Sequence, residues 1–310
     1  MSKLSRYIRL IKQGILDYRW FIFYLQRMDY HPAHRRFISS VLSKFLPKTL
    51  NKEINLENIK LAQILEKEGL IILEKLMSQS QLEEMKAYMV TKLCFDPYRP
   101  EEDGFSHPEQ AHKSCIHAYY PEKDIVCAPH LLELANDPKI LGIIEEIYGA
   151  KPTISLIQMW WLLHGFDVAA NAHDIYVNNT KEFHRDVDDW SEIKLFIYLT
   201  DVDENSGPHT FIKNSQTWLL PPKTRAIDFN NPNFPCADNL VKLTGKAGLA
   251  WLENTYGLHR ASIPIDQHRL IMVVTYTLFP LPYAPKKPLC SCPGQEQLDP
   301  YVNRVYLKYP

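Results

Sequence analysis

A chain of 310 residues has room for one large domain with an extension, or for two modest domains. Its 45% hydrophobic and 23% charged content excludes the disordered, collagen-like and coiled-coil classes, and a net charge of -1 argues against a nucleic-acid binder. That average hides a division. Residues 1–50 hold ten Lys and Arg against Asp17 and Asp29, a local +8, which leaves 25 basic and 34 acidic residues, or -9, in the other 260.

The longest uncharged apolar stretch, Leu270 to Pro285, is 16 residues with three prolines, short of the roughly 20 that cross a bilayer. The first apolar run, Trp20 to Leu25, is too short and too deep in a basic segment to be a secretory signal. Six cysteines are too few for a disulfide scaffold. Cys290-Ser-Cys292 is the only close pair, and no second pair completes a zinc site. Free thiols and a cytoplasmic protein are expected.

In chain order, Leu4, Ile8, Ile11, Ile15, Tyr18, Ile22 and Leu25 form one stripe of a helix, with Lys3, Arg6, Arg9, Lys12 and Arg19 off it. The first expectation is a helix docked on its own domain. Peripheral contact of residues 1–30 with an anionic membrane is the second, because a basic face beside an aromatic-rich apolar one is the interfacial pattern. After His31-Pro32 a second helix runs to about Phe45. Residues 57–66 and 79–93 read as helices, the latter opening on a Ser80 to Glu83 capping box, with a buried strand from Gly69 to Leu73 between them. Residues 95–114 are a long loop, and Asp137-Pro138 with Gly149 bracket a helix over 138–148.

From residue 150 the pattern becomes short apolar runs between turn residues: 152–163, 176–184, 193–200, 208–212, 240–243, 247–252, 257–262 and 269–279. Eight short strands without intervening helices predict an antiparallel sandwich or barrel. The chain thus divides into a basic helical extension over 1–50, a mostly β domain with flanking helices over 51–283, and a C-terminal tail over 284–310.

Within the β half, Phe183-His184-Arg185-Asp186 places an imidazole and a carboxylate on one face of a strand end. A protein-kinase catalytic loop would share His-Arg-Asp but needs Asn five residues on, where Ser191 stands. His259 supplies a third ligand, and two histidines with one carboxylate form the facial triad of non-haem iron(II) oxygenases, which leaves positions open on the metal. Arg269 follows a turn at Pro264 to Gln267, so its strand is expected to lie antiparallel beside that of His259. Its guanidinium would then sit on an apolar inner face with Ile271 and Val273. Such a group needs a carboxylate, and the distal carboxylate of 2-oxoglutarate suits it. Trp160, Trp161 and Trp251 read as core. The remaining histidines, His209 among them, read as surface or structural, with His112 and His117 at the entrance to the site.

These stretches resemble the phytanoyl-CoA dioxygenase-like family, over about residues 57–280. The resemblance rests on Phe183 to Asp186, Lys194 to Asp203, Glu204 to His209 and His259 to Arg269, and on the earlier Glu66 to Ile72 and Leu134 to Gly149. It implies a double-stranded β-helix core of the jelly-roll type and an iron(II)/2-oxoglutarate-dependent hydroxylase that consumes dioxygen and releases succinate and carbon dioxide. Ascorbate is an expected stimulant. It further implies His184, Asp186 and His259 as iron ligands, Arg269 as the 2-oxoglutarate-binding arginine, and Phe196 and Trp160 beside the cosubstrate. Asp186 stands where related halogenases carry a small residue, which favours oxygenation. The chain departs from the family at Lys213 to Gln216 and at Ala261, near the cosubstrate's edges. The substrate expected is a small or lipid-like molecule. The reading from another class is a metal-free β-helix that binds a partner or membrane through its basic helix.

Overall fold

The computed structural model describes residues 12–50, 54–165, 182–220 and 239–310. The start of the apolar stripe, most of the run 176–184 and the loop after Pro221 lie outside the described residues. Two antiparallel sheets form the core. The larger has the order β1-β7-β4-β9-β3-β2, from β1 (Leu70–Leu73), β2 (His117–Tyr119), β3 (Thr153–Leu162), β4 (Glu192–Tyr198), β7 (Ala250–Glu253) and β9 (Arg269–Thr277). The smaller is β6-β5-β8, from β5 (His209–Ile212), β6 (Leu240–Leu243) and β8 (His259–Ala261). This is a jelly roll with helices packed on the larger sheet.

Strands of the larger sheet are buried on both faces, so they read as continuous apolar runs and parity decides the destination of each side chain. Leu195 and Ile197 on β4, Leu252 on β7 and Met272, Val274 and Tyr276 on β9 pack in one core with residues of the flanking helices, among them Leu65, Met85 and Ile143. The alternate residues Phe196, Tyr198, Trp251, Ile271 and Val273 meet Phe211 and Leu243 of the smaller sheet in a second core between the sheets. Arg269 shares parity with Ile271 and Val273, and Lys194 with Phe196, so sequence position alone sends both charges to the inter-sheet face.

The helices follow local signals. Asn55 caps α3 (Leu56–Glu68), and Gly69 ends it in the left-handed region at φ 82°. A side chain there would meet Gln216 Oε1 at 2.6 Å. Asp137 caps α6 (Pro138–Tyr148) with Pro138 at its start and Gly149 at its end, as the sequence indicates. The capping box of α4 (Gln79–Met89) is formed by Ser78 and Gln81 rather than Ser80 and Glu83. The side chain of Ser80 instead reaches Glu84 along the helix surface.

Two expectations are corrected. Residues 12–25 do not form one helix. Residue 17 interrupts it: Asp17 is extended and caps α1 (Tyr18–Gln26) by accepting the Arg19 N–H. The helix docks on the body as expected, but by a face other than the described part of the stripe. Ile15 (79% exposed) and Tyr18 (61%) face outward, whereas Arg19, Phe23 and Gln26 are buried. The body offers this helix loop carbonyls, which polar side chains satisfy, beside Tyr283, on which Phe23 packs edge-on. Arg19 donates to Ala284 and Pro285, and Gln26 to Val187 at 2.6 Å. Second, β8 and β9 are not neighbours. β8 pairs with β5 and β9 with β3 and β4, because the turn at Pro264 to Gln267 carries the chain from one sheet to the other.

Beyond residue 284 the chain returns to the body. Val302, Val305, Tyr306 and Leu307 are buried in the helix-side core, and α7 (Pro300–Asn303) orients Tyr306. The phenol accepts the Ile157 N–H at 2.9 Å and donates to Glu122 on α5 (Glu122–Val126) at 2.8 Å. Tyr306→Phe leaves that amide unpaired and should cost about 1–3 kcal/mol in urea unfolding. An unchanged midpoint would contradict the role given to this hydroxyl.

Candidate metal centre

His184 and His259 face each other across an isolated antiparallel bridge that extends the smaller sheet. Each donates its backbone N–H to the other's carbonyl at 3.0 Å, and the Asp186 N–H donates to Thr255 at 2.9 Å. Side chains of directly paired residues lie on the same face, and the period of two puts Asp186 there as well. The ring centroids of the histidines are 4.4 Å apart. One ligand atom from each of His184, Asp186 and His259 lies within 4.8 Å of the others.

The tautomers are fixed by short contacts. His184 Nδ1 donates to the Glu182 carbonyl at 3.1 Å and His259 Nδ1 to the Gly257 carbonyl at 3.0 Å. Both Nε2 atoms are thereby turned toward Asp186, at 3.9 Å and 3.5 Å. A backbone acceptor on one ring nitrogen is what orients a metal-binding histidine. Burial and the neighbouring His259 push the His184 imidazole down to about 4, so its Nε2 lone pair is free at neutral pH. Burial opposes ionisation of Asp186, but Lys194 and His259 hold its carboxyl well below the usual range.

Charged groups on the inner face extend the site. Lys194 Nζ contacts Asp186 at 2.6 Å and Glu192 at 3.0 Å. Burial raises the Glu192 carboxyl to about 7 against the pull of Lys194. His209, read as structural from sequence, is buried with its ring 5.5 Å from that of His259. It meets the fully buried Glu253 at 2.9 Å, which also accepts the Trp251 indole N–H at 3.1 Å. Lys194, Glu192 and Glu253 were missed in the sequence. The available signal was parity: each is a charge in register with the inward Phe196 or Trp251 on a strand buried on both faces.

Arg269 is 2% exposed. It donates to the Gly207 carbonyl and lies 5.7 Å from the centre of the Tyr198 ring. Its Nε has no hydrogen-bond partner, and none of the described residues forms an ion pair with it. A buried guanidinium left in this state is costly unless a ligand completes it. Phe196 stacks on Trp251 at 5.0 Å and lies 5.1 Å from the His209 ring. Trp160 packs at the edge of the same inter-sheet core and stacks on Tyr119, while Trp161 packs on the other side and bonds Tyr120. His117 is buried on β2, and His112 is exposed, with Ser114 at its ring nitrogen.

A cleft of about 800 Å3 has Asp186 and Glu192 in its wall, a volume suited to a small molecule. Its far side is built by α2 (Pro32–Leu42), which together with α1 clamps the segment after Asp186. Gln26 and Arg27 both donate to the Val187 carbonyl, and Arg27 pairs with Asp188 at 2.7 Å. Buried Arg35 donates to the carbonyls of Gln26, Asp29 and Asp189. Arg35→Ala should therefore lower stability by at least about 1.5–3 kcal/mol in chemical denaturation. A neutral effect would show that the clamp is not needed to hold this segment.

The model of the phytanoyl-CoA dioxygenase family matches residues 65–262. No curated protein matches the chain. Among solved structures, EctD from S. alaskensis with bound Fe is similar at a TM-score of 0.52 and 13% identity, over 85% of this chain and 93% of that one. HygX from Streptomyces hygroscopicus with nickel, 2-oxoglutarate and hygromycin B gives 0.48 and 13%, over 83% and 98%. The α-ketoglutarate-dependent epimerase SnoN from nogalamycin biosynthesis gives 0.49 and 14%, over 71% and 83%. The likeness to EctD shows a common fold.

Proposed function

The chain belongs to the phytanoyl-CoA dioxygenase family, and from that membership and the convergence of His184, Asp186 and His259 we propose an iron(II)- and 2-oxoglutarate-dependent hydroxylase of a small-molecule C–H bond. The observation that carries this reading is the pair of Nε2 atoms aimed at one carboxylate, each fixed from behind by a carbonyl. Two imidazoles and a carboxylate on one side of an ion suit iron(II) and leave its other positions open. When bound there with 2-oxoglutarate and dioxygen, the iron supplies the oxidation that yields succinate, carbon dioxide and an oxygenated product.

The protein's own residues bind, orient and exclude water. In this reading Arg269 takes the distal carboxylate of 2-oxoglutarate, which fits a buried fork whose Nε lacks a partner. Phe196, Trp160 and Trp251 wall the space between the sheets and keep it dry. Lys194 balances the charge of Asp186 while the site awaits its ion, and Glu253 holds His209 against His259. The bridge between His184 and His259 fixes both imidazoles before any ligand arrives, so little ordering is left to binding.

With iron(II) and ascorbate, the protein should release succinate from 2-oxoglutarate, faster once a substrate is supplied. Asp186→Ala should abolish turnover. Arg269→Gln should weaken 2-oxoglutarate binding by about 2–5 kcal/mol, the range for losing one side of a buried ion pair. Wild-type protein without iron-dependent succinate release across broad substrate classes would reject the enzyme reading.

The outward side of the segment around α1 supports a peripheral membrane location. No helix among the described residues is long and apolar enough to cross a membrane. Ile15, Leu16, Tyr18, Phe21, Leu25 and Met28 nevertheless stand exposed, in a segment that still carries basic residues beyond Arg19, Arg27 and Arg35, which are used against the body. This combination suits the surface of an anionic bilayer. The protein should sediment with phosphatidylserine-containing vesicles and not with zwitterionic ones, and Phe21→Glu should weaken binding by about tenfold or more. Absence of vesicle binding, or self-association that the same variant abolishes, would contradict the membrane reading.

A further inference from the structure

Cys290 and Cys292, expected to lack further thiol ligands, are joined in space by Cys127 from the other half of the chain. The three sulfur atoms lie within 4.8 Å of one another, with 3.5 Å between Cys290 and Cys292. Ligands spaced about a metal at roughly 2.3 Å in tetrahedral array lie about 3.8 Å apart, so one ion can span the three after small side-chain adjustments. Cys127 is exposed and the other two are partly so, which leaves the cluster open to solution.

The cluster is built by its surroundings rather than by a loose chain end. Cys127 follows α5, whose Glu122 accepts the Tyr306 phenol. The strand-like pairing of Cys290 with Leu307 holds the first sulfur beside that tyrosine: Cys290 N–H donates to the Tyr306 carbonyl and Lys308 N–H to the Cys290 carbonyl. Gln295 Oε1 accepts the Cys292 N–H at 2.7 Å, while its Nε2 donates to the Lys308 carbonyl at 2.6 Å. Tyr306 thus fixes α5 and the Cys290–Cys292 turn relative to each other, and thiols from both are held facing one point. A disulfide would use two of them and leave the third unexplained.

We propose that Cys127, Cys290 and Cys292 form a three-thiolate site for a soft closed-shell cation, Zn(II) or Cu(I), separate from the His184–Asp186–His259 centre. Thiolate donors select these ions. Each cysteine that ligates gives up its thiol proton to solvent. The ion would tie the C-terminal segment to α5 and contribute its binding free energy to folding.

Cobalt(II) is the probe, because a thiolate–cobalt charge-transfer band in the near ultraviolet cannot arise from histidine and aspartate. Titration of the reduced full-length protein should give this band. It should persist in Asp186→Ala and in Cys94→Ser, and be nearly lost in Cys127→Ser and in Cys292→Ser. Zn(II) or Cu(I), added stoichiometrically in separate arms, should bleach it, and the ion effective at the lower concentration is the one the site prefers. No band in the reduced protein, or a band undiminished by Cys127→Ser, would overturn the proposal. So would air oxidation to a Cys290–Cys292 disulfide in protein that takes up neither cation.

Discussion

Two backbone hydrogen bonds between His184 and His259, each 3.0 Å, are the constraint on which the site depends. They join segments far apart in sequence, and they do so at a directly paired position, so both imidazoles emerge on the same side. The carbonyls of Glu182 and Gly257, each two residues before its histidine, then take the Nδ1 protons and turn both Nε2 atoms to Asp186. Little of this arrangement is left to side-chain rotation. The site is a product of register, and a slip of one residue at the bridge would send one imidazole to the other face.

Around that bridge the fold separates two kinds of burial. The outward parity of β4, β7 and β9 is apolar and packs on helices. The inward parity mixes aromatic rings with Lys194, Glu192, Glu253, His209 and Arg269. Apart from Arg269, whose Nε is left open, these charges answer one another in pairs. Among these inward groups Arg269 is the one without an ion-pair partner among the described residues, which is what supports assigning it an anionic ligand.

The basic extension changes meaning once its contacts are known. Its periodicity correctly indicates which residues share a face, but periodicity carries no information on which face docks. Arg19, Gln26 and Arg35 dock because the segment after Asp186 and the turn near Ala284 present carbonyls without strand partners. The described stripe residues Ile15, Tyr18 and Leu25 are left outside. The excess positive charge and the exposed aromatic residues therefore belong to one segment that both braces the site and presents a surface.

Features set by local chemistry were legible in the sequence: the helix between Asp137-Pro138 and Gly149, the strand runs after residue 150 that lie within the described residues, and the shared face of His184 and Asp186. Features set by pairing between distant segments were not. The turn at Pro264 to Gln267 gives no sign that it switches sheets, so β8 and β9 were expected side by side. Cys127 gives no sign that it meets Cys290 and Cys292, since that meeting depends on Tyr306 and the return of the chain beyond residue 284. The inward charges were within reach, because a lone Lys or Glu on a doubly buried strand must be paired, but only parity counted from Phe196 and Trp251 reveals them.

If His184, Asp186 and His259 hold iron(II) with room for a chelating 2-oxo acid, anaerobic optical titration will reveal it. Iron(II) and 2-oxoglutarate added together without dioxygen should produce a visible metal-to-ligand charge-transfer band that saturates stoichiometrically with protein and is absent from Asp186→Ala. A wild-type protein that gives no band at saturating iron and 2-oxoglutarate would contradict it.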